Sequence, residues 1–71
     1  MKPIAVKKLR RIRARRGCEE IRQSGSHLVV RSGACQATIP IHSRDVAPGT
    51  LREIEKAFAP LFGERWLDAE R

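Results

Sequence analysis

The sequence predicts an α+β domain: a helix, three antiparallel strands and a second helix, with both helices on one face of a three-stranded sheet. Three observations predict it. Ala5, Val6, Leu9 and Ile12 recur at helical spacing near the start of the chain. In the middle, "HLVVRS" and "CQATIPI" are rich in β-branched residues and stand either side of the dipeptide Gly33-Ala34. Leu51, Ile54 and Phe58 then form a second apolar stripe at helical spacing.

The first helix is expected from Pro3, a residue accepted at a first helical position, to Gly17, which suits a left-handed cap. "CEEIRQ" reads as an edge strand and "SGS" as a turn. A two-residue loop with glycine first is a type II′ hairpin signal, and it sets the register of the next two strands. Ser32 then faces Cys35, Val30 faces Ala37 and Leu28 faces Ile39 on an apolar side. Arg31 faces Gln36, Val29 faces Thr38 and His27 faces Pro40 on the other side. Continued alternation carries His42 to that same polar side, which makes the two histidines diagonal neighbours with Cα atoms about 7–8 Å apart.

Proline suits only a sheet edge or an irregularity, so strand pairing is expected to fail near Pro40. After the loop "HSRDVAPG", Thr50 and Glu53 have the spacing of a capping box for the second helix. Pro60 is expected to end or bend that helix, and Phe62 and Trp66 to pack back onto the core from a short amphipathic turn.

With 71 residues the chain makes one small domain with a thin core. Its chemistry is therefore expected on an open face and on a large ligand. The net charge of +7 is concentrated. The first sixteen residues hold Lys2, Lys7, Lys8, Arg10, Arg11, Arg13, Arg15 and Arg16 and no acid, while the remainder is nearly neutral. A localised patch of this kind suits a polyanion.

No apolar run approaches the roughly 20 residues of a membrane span, and the start of the chain has no signal-peptide core. A cytoplasmic location is expected, with no membrane partner. Cys18 and Cys35 are then expected to be reduced, packed thiols, and their spacing matches no metal site. No metal or other cofactor is expected. There is also no phosphate-binding glycine loop and no paired-carboxylate arrangement.

The ordered set "RQSGSH", "IPIH" and "PGTLREI" resembles the HicA toxins of bacterial type II toxin-antitoxin systems. The resemblance runs from about Pro3 to Phe58, the core of a single domain spanning 1–71, with 59–71 as a short C-terminal extension. It implies a fold like double-stranded RNA-binding domains and a metal-independent endoribonuclease acting on mRNA. It also implies inhibition by a HicB-type antitoxin, with a monomer when free and a hetero-oligomer with the antitoxin. The family's catalytic histidine is the one in its GSH motif, here His27, and His42 falls on a second histidine of less uniform role. The chain departs from the family pattern in its arginine-dense first helix, in Cys18 where a bulky apolar residue is common, and in the extension.

The residues themselves are compatible with that chemistry. RNA supplies its own nucleophile, the 2′-hydroxyl, so cleavage needs a base for that proton, an acid for the leaving 5′-oxygen and nearby positive charge. An imidazole, with an ordinary pKa of about 6.5, can take either role. His27 is the expected base or acid and His42 a support. Lys7, Lys8, Arg10, Arg11, Arg13, Arg22 and Arg31 are the expected RNA contacts, while Ser26 only shapes the turn. A non-catalytic RNA-binding module of the same fold is the alternative, and it has no need of an exposed His27.

Overall fold

The computed structural model describes residues 2–70. Its elements are β1 (Ile4–Ala5), α1 (Val6–Arg15), β2 (Glu19–Ser24), β3 (His27–Ser32), β4 (Cys35–Pro40), β5 (Asp45–Val46), α2 (Pro48–Phe62) and α3 (Trp66–Ala69). The central sheet is antiparallel with order β2-β3-β4, and β1 pairs with β5 in a separate two-stranded ladder. The expected α+β class and the helix, three-strand, helix order are present.

The first helix begins three residues later than the sequence suggests. Ile4 and Ala5 are taken into the ladder opposite Val46 and Asp45, and the Val6 N–H donates to the Arg44 carbonyl at 2.9 Å. That bond satisfies a first-turn N–H which would otherwise lack a partner. The helix ends as expected. Gly17 has φ +78°, the Gly17 N–H donates to Ala14 O at 3.1 Å, and the Cys18 N–H donates to Arg13 O at 2.9 Å. Together these make a Schellman cap.

The β3–β4 register is the expected one at all six positions, from Ser32 opposite Cys35 to His27 opposite Pro40. Pairing does not fail at Pro40. The Ile41 N–H still donates to Ser26 O at 2.7 Å, one residue further along. Because hydrogen-bonded and non-bonded pairs alternate, Pro40 occupies a non-bonded position where its missing N–H would point away from β3. β4 is an edge strand, so that direction leads out of the sheet. The alternation stops there, however, and His42 lies in the bend at 42–44 rather than on an extended strand.

The β2–β3 register is broken once. Glu20 pairs with Val30 and Arg22 with Val29, leaving Ile21 as an extra residue in a bulge. Ser24 opposite His27 closes a two-residue turn in which Gly25 has φ +59°. Gly33 has φ +58° in the next turn, and Ala34 is not left-handed, as a type II′ turn requires.

The capping box at Thr50 and Glu53 does not form. The N-cap falls three residues earlier, at Ala47, which makes no side-chain bond, and Pro48 stands in the first turn of α2. Proline is pre-set for that position and has no N–H to satisfy, so it displaces the polar cap. Nor does Pro60 end the helix, which runs on to Phe62 and is closed by the Gly63 N–H donating to Ala59 O at 2.8 Å. Proline in the last turn removes one bond, and too little helix follows for the break to propagate.

One core joins these elements. Leu9 and Ile12 of α1, Leu28, Val30 and Ile39 of the sheet, and Leu51, Ile54 and Phe58 of α2 are all buried in it. The extension takes part: Trp66 and Leu67 are buried, and the Trp66 ring meets Phe58 and Phe62 edge to face at 6.1 and 5.0 Å. Its indole N–H donates to Glu55 O at 2.9 Å. Trp66 is a core residue, as expected. Cys18, buried, and Cys35, half-buried, are both free thiols. Burial pushes the Cys18 thiol above its ordinary pKa, which leaves it an inert packed group.

Candidate functional site

Cross-strand partners share a face of the sheet. Leu28 and Val30, with Ile39, Ala37 and Cys35 opposite or beside them, belong to the face that meets the helices. His27, Val29 and Arg31 therefore occupy the other face, together with Ser24 and Arg22 of β2 and with Pro40, Thr38 and Gln36 of β4. His27 is exposed. It is the first residue of β3, directly after the Gly25-Ser26 turn, so a tight hairpin fixes its backbone from both flanking strands. Arg22 lies diagonal to it across β2, and Arg31 lies four residues along the same strand. Val29 between them is only 8% exposed although it lies outside the helix-side core.

His42 is exposed in the bend two residues past Pro40. It follows the His27 end of the sheet in sequence but is not held by strand pairing. Arg44 is exposed in the same bend, and neither composition nor motif marks it. The signal was present in "IHSRDV", where it stands two residues past the second histidine.

The basic helix divides into two groups. Arg10 makes a bidentate pair with Glu20, at 2.8 Å from Nε and 2.7 Å from a terminal nitrogen. Arg13 donates to the same carboxylate at 2.9 Å and to Cys18 O at 2.9 Å. At the end of the helix, Arg15 and Arg16 both pair with Glu70, at 2.9 and 2.7 Å. The Arg16 guanidinium also lies 5.2 Å from the Phe62 ring centre and 5.5 Å from that of Trp66. The hydrogen bond from Arg10, more than the opposing effect of burial, holds the Glu20 carboxyl below the usual carboxylate range. Hydrogen bonds from Arg15 and Arg16 lower that of Glu70 in the same way.

Two of the expected RNA contacts, Arg10 and Arg13, are thus occupied inside the molecule. The side chains of Lys7, Lys8, Arg11, Arg22, Arg31 and Arg44 make no ion pair with any described residue. Intramolecular pairing of the arginines was missed because their two acids come from other elements. "CEE", directly after the helix, was a signal for the first of these.

Among the described residues, no group of three His, Cys, Asp or Glu side chains is close enough to hold a metal ion. No helix among them is long and apolar enough to cross a membrane. The arrangement presents an exposed imidazole at a two-residue hairpin turn, with two arginines on its own sheet face and further unpaired cations at the start of α1 and in the 42–44 bend.

A protein-family model described as HicA toxin of bacterial toxin-antitoxin matches residues 6–58. Comparison with curated proteins and with solved structures gave no match.

Proposed function

The chain belongs to the HicA toxin family of toxin-antitoxin systems, and on that footing we propose that it is a metal-independent endoribonuclease that cleaves mRNA. His27 is its catalytic residue. The observation that carries this reading is the position of His27: exposed, on the sheet face free of helices, and first in β3 directly after the Gly25-Ser26 turn. An imidazole with no core role in a family of toxins is well explained as an acid or base.

In this mechanism the RNA 2′-hydroxyl oxygen attacks the adjacent phosphorus as its proton leaves, and the bond from phosphorus to the 5′-oxygen breaks. The proton on the leaving oxygen comes from an acid, and the products are a 2′,3′-cyclic phosphate and a 5′-hydroxyl. His27 acts as general base or general acid, and His42 supports it from the bend. Arg22, diagonal to His27, offsets the charge that develops on the phosphate, and Arg31, four residues along the strand, orients a more distant phosphate of the RNA. Of the basic helix, Lys7, Lys8 and Arg11 hold RNA, while Arg10 and Arg13 serve structure first.

The biological setting follows from the same reading: a cytoplasmic toxin, monomeric when free, silenced in a hetero-oligomer with a HicB-type antitoxin. An open-faced ribonuclease is most simply silenced by covering it, so the antitoxin is expected to bury His27 in an interface of about 1,200–2,000 Å².

The test is cleavage of an RNA oligonucleotide by the purified chain in excess chelator, with analysis of the new ends. Cyclic phosphate and 5′-hydroxyl ends, and resistance of the same site when its 2′-hydroxyl is replaced by hydrogen, are the expected results. Binding without any cleavage would leave the non-catalytic RNA-binding module as the better reading.

A further inference from the structure

Positive charge is not equally available along α1: the ion pairs engage Arg10 and the arginines of its last turn, and leave Lys7, Lys8 and Arg11 without a carboxylate partner among the described residues. Strand β2 begins four residues after α1 ends, at the side of the sheet where Glu19 faces Arg31, and it finishes where Ser24 faces His27. The helix that precedes it therefore runs the opposite way, with its first turn towards the His27 end and its last turn away from it. At the far end Arg13, Arg15 and Arg16 are all engaged by Glu20 and Glu70. Arg10, in mid-helix, is engaged by Glu20 as well.

The near end is different. The Val6 N–H bonds to the Arg44 carbonyl at 2.9 Å, which fastens the start of α1 to the 42–44 bend. The Ile41 N–H bonds to Ser26 O at 2.7 Å, which fastens the start of that bend to the turn before His27. Two backbone bonds thus gather three segments that are distant in sequence. Each carries an exposed group: Lys7 on the helix, Arg44 and His42 in the bend, and His27 on the hairpin. Lys7 and Arg44 have no carboxylate partner among the described residues.

We propose that RNA phosphates flanking the reacting one are held at this end of the molecule by Arg44 and Lys7, and that the distal arginines of α1 take no part in binding. Arg44 is then a binding residue placed beside the catalytic hairpin by the β1–β5 ladder. Arg13, Arg15 and Arg16 are withdrawn from the RNA surface because moving a guanidinium from Glu20 or Glu70 to a phosphate exchanges one ion pair for another with little net gain. This inference rests on the endoribonuclease reading for the role of His27, but its test does not depend on cleavage.

The test measures binding of a labelled single-stranded RNA of mixed sequence to the full chain carrying His27→Ala, as a function of salt. Arg44→Gln and Lys7→Gln are each expected to lower the slope of log affinity against log salt by about 0.7, the change that follows when one phosphate of a single strand is no longer neutralised. Arg15→Gln, at the far end, is expected to leave the slope unchanged. The Arg44 side chain is exposed and its carbonyl makes the structural bond, so Arg44→Gln keeps the fold. Unchanged slopes in Arg44→Gln and Lys7→Gln, or an equal fall in Arg15→Gln, would overturn the proposal. With His27 restored, cleavage by the wild-type chain alongside such slopes would remove this inference and leave the ribonuclease reading standing. RNA binding with the expected slopes but no cleavage would do the reverse, and no RNA binding at all would remove both.

Discussion

Glu20 and Arg22, two positions apart on one strand, lie on opposite faces of the sheet. In a regular strand they would share a face. The bulge at Ile21 inserts one residue between them, so Glu20 pairs with Val30 on the helix side and Arg22 with Val29 on the open side. The bulge thereby sends the carboxylate to Arg10 and Arg13 of α1 and the guanidinium to the face that carries His27.

The Glu20 contact predicts an acid-dependent loss of stability. Because its folded-state pKa is depressed, its contribution is fully present above the unfolded carboxyl pKa of about 4.3 and is lost as the pH falls through the folded value. Glu20→Gln should cost about 1 kcal/mol at neutral pH, as a partly buried pair would. Below about pH 5 the wild type should lose stability faster than the variant, so their denaturation midpoints should converge. Midpoints that stay equally separated down to about pH 3 would refute the assignment. Some acid sensitivity should persist in the variant through Glu70, whose carboxyl is lowered in the same direction.

Gly25 supports His27 through backbone conformation alone. A Cβ built there meets nothing within 4 Å, so Gly25→Ala adds no clash and its cost is that of φ +59° for a residue with a side chain. That cost is about 1–2 kcal/mol. Relief of the strain by a shift of the turn should displace His27, and cleavage should fall more than RNA binding does. The comparison of rate with affinity in this variant separates the two effects.

His27→Ala should leave the fold intact. The side chain is exposed and outside the core, so stability should change by no more than about 0.5 kcal/mol. Cleavage should fall by roughly a hundredfold to ten-thousandfold, the usual loss on removing a positioned acid or base. His42→Ala should cost less, since its residue lies in the bend rather than on a paired strand; an equal loss would instead make the two an acid–base pair. Wild-type cleavage by His27→Ala would exclude His27 from the chemistry.

Leu67→Ala should destabilise the domain by about 2–5 kcal/mol, because Leu67 is fully buried although it lies beyond the residues matched by the family. Total stability for a domain of this length is about 4–11 kcal/mol at the usual value per residue, so the variant should lose a large part of it. A loss of less than about 0.5 kcal/mol, the usual size of a surface substitution, would mean that the extension is an appendage. Chemical denaturation followed by Trp66 fluorescence reads this directly, since that ring packs against Phe58 and Phe62.

What the sequence alone determined is what depends on neighbours in the chain. The glycine-first Gly33-Ala34 turn sets the β3–β4 register, and with it the face on which His27 lies. Helical spacing identified Leu9, Ile12, Leu51, Ile54 and Phe58 as core, and Gly17 marked the end of the first helix. These signals are local, since a turn type or an apolar stripe is specified within a few residues and packing then accepts it.

The tertiary structure decided what depends on elements meeting across space. It placed Ile4 and Ala5 in a ladder with Asp45 and Val46, inserted the bulge at Ile21, and left His42 off the strand. Above all it distributed the charge. A run of arginines looks uniform in one dimension, but Glu20 arrives from β2 and Glu70 from the chain end, separated from their partners by as many as 55 positions. Ion pairing acts over a few ångströms in space with no regard for separation along the chain, so only the fold could show which of these cations are occupied and which remain open to a ligand beside His27.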